Sequence, residues 1–173
     1  MKSSDLHIRR LVSSDAPAYR ALRLRALRDH PEAFTSSYEE DVTQGIAHAE
    51  RRLAAALSGR FWGAFLDGQM VGMVGLDRET RAKNRHKGVV VGMYVAPEQA
   101  RMGIARVLMD ALLQDAQQEG LELLVLTVTS GNHGAENLYF ESGFQSFGME
   151  PRAIKVQNRY FDKNHMYLLL SSP

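Results

Sequence analysis

The sequence predicts an α/β fold, one domain over residues 1–173 built on a single mixed sheet. Three observations carry this. The chain has 173 residues, within the roughly 100–200 of an ordinary domain, and its apolar patterning alternates between strand and helix periods in the order β-α-α-β-β-β-α-β-α-β-β. An apolar run at 89–95, a helical pattern at 102–118 and a second apolar run at 121–128 form one β-α-β unit, whose right-handed crossover makes its two strands parallel. The dipeptide Asp67-Gly68, set between apolar runs, is a strong hairpin signal, and the other strands read as antiparallel.

The elements follow in order. Leu6 and Ile8 alternate with His7 and Arg9, and Leu11 and Val12 follow, which reads as a strand. Ser13, Ser14 and Asp15 offer a helix cap, and Pro17 suits a first turn. Leu22, Leu24 and Leu27 continue that helix to near His30-Pro31. The segment Glu32–Gln44 reads as an ordered loop or a short helical turn. Ile46 to Leu57 is a second helix, closed by Gly59. Phe61–Leu66 and Met70–Leu76 are the hairpin strands, and Arg78–Lys87 is a basic loop or strand edge. Val89–Val95 is apolar almost throughout, as a strand buried on both faces must be. Met102–Gln118 places Ile104, Val107, Leu108, Ala111 and Leu112 at helical spacing and stops at Gly120. Then come a buried strand at Leu121–Val128, a short helix at Gly134–Glu141 and a strand from Gly143 to Met149. Ala153–Val156 and Arg159–Phe161 flank a two-residue turn, Gln157-Asn158, and His165–Leu170 is the last strand.

Composition excludes several classes. Hydrophobic residues make up 45 % and charged residues 24 %, ordinary globular usage. Net charge is +1, so no global field draws the chain to nucleic acid or to a membrane. The basic cluster Arg20, Arg23, Arg25 and Arg28 reads as a solvated helix face, since Asp29, Glu32, Glu39, Glu40 and Asp41 follow it. There is no cysteine, which removes disulfides, thiolate metal ligands and thiol nucleophiles. No apolar run approaches the about 18 residues of a membrane span, and Met1–Arg10 lacks the pattern of a secretory signal. A cytoplasmic protein is the expectation.

Between the runs at 89–95 and 102–118 lies Val95-Ala96-Pro97-Glu98-Gln99-Ala100-Arg101-Met102-Gly103-Ile104-Ala105-Arg106. A helix start exposes unpaired N–H groups and the positive end of the helix dipole, which suits a phosphate. Gly103 carries no Cβ to keep a ligand from the backbone, Ala105 is nearly as small, and Arg101 and Arg106 add charge. The segment has neither the dinucleotide pattern G-x-G-x-x-G nor the Lys-Ser/Thr of a P-loop.

The segment resembles the acetyl-CoA motif V-x-P-x-x-R/Q-x-x-G-x-G/A of the GNAT superfamily of acetyl-CoA-dependent N-acetyltransferases. Val95, Pro97, Gly103 and Ala105 match it, and Ala100 stands where the pattern has Arg or Gln. A second stretch, Asn132 to Phe144, is similar to the superfamily's N-x-x-A-x-x-L-Y-x-x-x-G-F, through Asn132, Ala135, Leu138, Tyr139, Gly143 and Phe144. The resemblance implies a mostly antiparallel twisted sheet, a central parallel β-α-β unit splayed to hold coenzyme A, and helices on both faces. It also implies acetyl transfer from acetyl-CoA to an amine.

On that resemblance, backbone groups of Met93, Tyr94 and Val95 hold the pantetheine arm and face the oxyanion, with Gly92 permitting an irregular strand. Arg101, Met102, Gly103, Ile104, Ala105 and Arg106 hold the pyrophosphate. Asn132 bonds the pantetheine end, and Tyr139 is the general acid for the leaving thiolate. No metal is implied. The general base is not evident: superfamily positions for a glutamate hold Thr127 and Val89, leaving His86, Glu39, Glu40 and Glu150 as candidates, with His133 beside Asn132. The loop Asp29–Asp41, with Pro31, Phe34, Ser36, Ser37 and Tyr38, and the hairpin Pro151–Asp162, with Arg152, Tyr160 and Phe161, are expected to shape the acceptor pocket. The expected acceptor is a small-molecule amine, with no nucleic-acid or membrane partner and with homodimerisation open. The alternatives are acetylation of a protein N-terminus or lysine, and a non-catalytic acyl-CoA sensor.

Overall fold

A computed structural model describes residues 5–55 and 58–171. Its single sheet has seven strands: β1 (Leu6–Arg10), β2 (Gly59–Leu66), β3 (Gln69–Arg78), β4 (Lys87–Val95), β5 (Leu123–Thr129), β6 (Gln145–Val156) and β7 (Arg159–Leu169). The strand order is β1-β2-β3-β4-β5-β7-β6. Every neighbouring pair is antiparallel except β4 and β5, which are parallel, as the crossover rule requires. Five α-helices connect them: α1 (Ala16–Asp29), α2 (Tyr38–Thr43), α3 (Ile46–Ala54), α4 (Ile104–Gln118) and α5 (His133–Glu141).

Strand side chains alternate between faces, so the sheet carries two cores. Trp62, Ala64, Val74, Leu76, Val90, Leu124 and Leu126 point to one face, where they meet Ile104, Leu108 and Leu112 of α4 and Tyr139 of α5. Phe61, Met70, Met73 and Tyr94 point to the other, against Tyr19, Leu22 and Ala26 of α1 and Ala49 and Leu53 of α3. Among the described residues no helix is long and apolar enough to cross a membrane.

Several local expectations change. Asp15 does not cap α1. Its carboxylate turns back to accept from the Val12 N–H at 2.9 Å and from both Arg9 nitrogens at 2.7 and 2.8 Å. Helix α3 ends at Ala54, and Gly59, expected as its closing residue, begins β2 instead; Ala56 and Leu57 of the expected helix lie outside the described residues. Glu32–Gln44 keeps its expected character, an ordered loop whose short helical turn is α2, capped by Ser37 and Glu40, which bond each other's backbone N–H. Helix α4 starts at Ile104 rather than Met102, because Arg101 (φ 65°) and Gly103 (φ 74°) are left-handed and cannot join a right-handed helix. The four late strand segments merge into two, β6 and β7, around the expected turn at Gln157-Asn158. The break seen in the sequence at Pro151 is an irregularity inside β6, with Arg152 at φ 51° and its N–H bonded to Asp162 Oδ1 at 2.7 Å. Of the α1 arginines, Arg28 stays on the expected exposed face, bonding Asp29 beside it, and the other three are tied into the fold. Arg20 donates to the Val42 and Gln44 carbonyls, Arg23 pairs with Asp41 and Ser36, and Arg25 pairs with Glu98. They pin the α1–α2 loop and the β4–α4 loop to one helix.

Candidate active site

The parallel pairing of β4 with β5 is short: Lys87 with Leu123, Gly88 with Leu124, Val89 with Val125. Beyond it both strands run on, β4 to Val95 and β5 to Thr129, without pairing to each other. Opposite Val74 of β3, β4 spends two residues, Gly92 and Met93, between the pairs Gly75–Val91 and Met73–Tyr94. This is a β-bulge, and Gly92 at φ 63° makes it affordable. The bulge also shifts the alternation: Val91 and Tyr94 face the α1 core, Val90 and Met93 the α4 core.

A cavity of about 510 Å³ occupies the opening between the strands. Its walls include Val89–Met93 of β4, Val125–Thr129 of β5, and Asn132, Ala135 and Tyr139 at the start of and along α5. On the α1 side it is lined by Phe34 and Ser36 of the α1–α2 loop, by Arg52 and Asp77, and by Lys163 and His165 of β7. The cavity therefore joins the two faces of the sheet through the gap between β4 and β5.

Tyr139 and Phe144 are both buried, their rings edge to face at 6.0 Å. Burial pushes the Tyr139 phenol above its ordinary value, so it keeps its proton at neutral pH. Asn132 caps α5, its Oδ1 accepting from the Ala135 N–H at 3.3 Å, so the amide nitrogen remains available as a donor. Of Met93, Tyr94 and Val95, Met93 lines the cavity. The Tyr94 ring is buried on the α1 side, near the ring of His30 at 6.0 Å, and Val95 packs beside Gly72. Their backbones remain part of the bulged strand. Arg101, Met102 and Gly103 are exposed on the loop that opens α4, and nothing lies within 4 Å of where a Gly103 Cβ would be. Ile104 is a core residue, so only its backbone faces this loop, together with that of Ala105. Arg106 holds Asp110 at 3.1 Å.

The general-base candidates fare unevenly. His86, Glu39 and Glu40 are exposed and lie off the cavity. His133 is exposed and faces Glu136 at 3.4 Å. Glu150 does not line the cavity, but its carboxylate bonds Nε2 of His165 at 2.7 Å, and His165 does. The hairpin Pro151–Asp162 contributes nothing to the cavity wall; Arg152 stacks over Tyr160 and Arg159 over Phe161. Of the expected acceptor loop, Ala33, Phe34, Thr35 and Ser36 reach the wall.

Sequence reasoning missed Arg52, Asp77, Lys163 and His165. Register brings them together: Asp77 lies beside Val89 on β4, His165 beside Thr127, and Lys163 beside Thr129. Burial raises the Asp77 carboxyl pKa, opposed by Arg52 and Arg23. Among the described residues no group of three His, Cys, Asp or Glu could hold a metal.

The sequence profile of the acetyltransferase (GNAT) family matches residues 19–144. Two curated relatives, the L-methionine sulfoximine/L-methionine sulfone acetyltransferases of Pseudomonas aeruginosa and Pseudomonas paraeruginosa, are each 31 % identical over 78 residues. That match spans 45 % of this chain and 45 % of each relative, less than half the length of either. An acetyltransferase of the GNAT family from Streptococcus pneumoniae shares the fold at a TM-score of 0.87 and 24 % identity, over 96 % of this chain and 100 % of that one. A putative acetyltransferase from Salmonella typhimurium, solved with its cofactor acetyl-CoA, shares it at 0.81 and 21 % identity, over 98 % and 96 %.

Proposed function

The chain belongs to the acetyltransferase (GNAT) family, and on that premise we propose that it transfers an acetyl group from acetyl-CoA to the primary amine of a small molecule. The observation that carries this is the gap beyond Val89 and Val125, bulged at Gly92-Met93 and lined from one side by Tyr139 and from the other by polar residues of β7. The Pseudomonas relatives, named for acetylating methionine sulfoximine and sulfone, support a small acceptor.

The residues fit coenzyme A on two counts. The opened strands leave backbone groups of β4 without a strand partner on the gap side, and the α4 start offers free N–H groups behind a residue with no Cβ. When bound, acetyl-CoA supplies a thioester carbonyl and a thiol leaving group. The backbone of Arg101–Arg106 holds phosphate, Asn132 donates from its amide, and the bulged strand at Met93–Val95 orients the thioester and polarises it. Tyr139 holds a proton for the sulfur. His165, oriented by Glu150, takes the proton that the amine must lose. His165 is favoured over Asp77 because it sits beside Thr127, past the last strand pair, whereas Asp77 lies level with that pair.

The experiment is a screen of primary amines with acetyl-CoA, reading free thiol. Amine-dependent thiol release with a matching acetylated product supports the proposal. Acetyl-CoA binding with no release across the panel overturns it in favour of a sensor.

A further inference from the structure

Among the described residues, Lys163 is buried without an ion-pair partner. It is 6 % exposed, and its ammonium donates to Thr35 Oγ1 at 2.6 Å. A threonine hydroxyl is neutral, and lysine is almost never buried unless paired with an acid. The acids nearby are engaged elsewhere. Glu150 lies across from Lys163 in the β6–β7 register, but its carboxylate is on His165. Asp77 faces Arg52 at 4.0 Å. Among the described residues no carboxylate comes within 4.0 Å of the Lys163 nitrogen. Burial lowers its pKa, partly countered by Glu150, as expected of an ammonium short of negative partners.

The side chain is also placed for a ligand. Lys163 lines the cavity on the acceptor side, next to His165, which is two residues along the same face of β7. Its partner Thr35 lines the same wall, in the loop fixed by the Thr129 hydroxyl, which donates to the Glu32 carbonyl at 2.6 Å. The cavity thus presents a cation at Lys163 and, one alternation away, the His165–Glu150 pair suited to an amine.

We infer that Lys163, with Thr35, forms a carboxylate subsite, so that the acceptor is a free amino acid whose own carboxylate docks there while its amine meets His165. This rests on the acetyl-transfer reading and narrows it. A peptide N-terminus carries an amide in place of that carboxylate and is disfavoured.

The test uses matched acceptors: L-phenylalanine, L-leucine and L-methionine, each beside its carboxamide and its decarboxylated amine, with acetyl-CoA and thiol release as the readout. The expected result is a kcat/KM at least about 30-fold higher for one or more free acids than for their two analogues. Lys163→Met should bring that ratio to within about threefold, chiefly through KM, and Lys163→Arg should restore most of it. Equal use of acid and analogues by the unaltered protein overturns the inference, and that outcome needs no variant to fold. A preference that survives in folded Lys163→Met also overturns it. If no amine releases thiol, the acetyl-transfer reading falls, and calorimetry with the three free acids decides the subsite. Binding that is lost in Lys163→Met keeps it, and no binding removes it.

Discussion

At the residue scale, the assignment of Tyr139 turns on one hydroxyl. Removing it in Tyr139→Phe preserves the ring that packs on Phe144, so stability should hardly change. If Tyr139 protonates the sulfur, kcat should fall by about 10²–10⁴-fold, the usual worth of a general acid, with acetyl-CoA affinity little altered; steady-state kinetics beside calorimetry read both. A fall below about fivefold would make it a contact residue, since that is the size of one ordinary hydrogen bond. The sign of its pKa shift adds a pH condition. Burial raises the phenol's pKa, so its acid form persists past the ordinary value of about 10. Rate should therefore show no alkaline loss from this group below that pH. His165→Gln tests the other half of the proton path: it should lower kcat/KM for an acceptor amine that is protonated at the assay pH, and rescue by an acceptor of lower amine pKa would mark the base.

At the element scale, two glycines separate packing from binding. A Cβ at Gly75 of β3 would lie 2.2 Å from the buried Phe61 ring, which Tyr19 flanks edge-on at 5.5 Å and the Arg52 guanidinium covers at 4.8 Å. Gly75→Ala should cost about 1–3 kcal/mol by overpacking, read by denaturant unfolding. Gly103 is the reverse case, with open space around it and a left-handed φ. Gly103→Ala should cost about 1–2 kcal/mol in backbone strain. Gly103→Glu should unfold no more readily than Gly103→Ala, yet abolish acetyl-CoA binding through bulk and like charge; unchanged affinity would remove the pyrophosphate site from this loop. The same contrast explains what could be read beforehand. Asp67-Gly68, the apolar run Val89–Val95 and the glycine before α4 signal a turn, a strand and a helix start locally, within a few residues. Lys163 and His165 do not, because what matters is their neighbours Thr129 and Thr127, more than thirty positions away and adjacent only through the β5–β7 register. The one available hint was period two: Lys163, His165 and Tyr167 alternate with Asn164, Met166 and Leu168. The late strands were misjudged for a related reason, since Pro151-Arg152 looks like a break and is instead an irregularity that β6 absorbs.

At the scale of the whole molecule, β4 and β5 are joined by three residue pairs, and the proposed ligand would span the rest of the seam. Binding restricted to the folded state stabilises it by about 2.7 kcal/mol at a hundredfold excess over Kd, so acetyl-CoA should raise Tm by about 5–10 °C in a chain of this size. Thermal scans across a concentration series measure this, and a Tm indifferent to acetyl-CoA would contradict the site. The seam has another consequence. Unpaired strand backbone recruits foreign strands and leads to aggregation. Strand β6, at one outer border of the sheet, is interrupted by Pro151 and the kink at Arg152. Strand β1 forms the other outer border, and the partnerless backbone inside the sheet, on β4 and β5, lies in a cavity walled by Phe34, Tyr139 and Phe147. A second polypeptide strand would have to pass those rings to reach it. Acetyl-CoA bound as proposed would thus use adhesive backbone that the cavity walls screen from other chains.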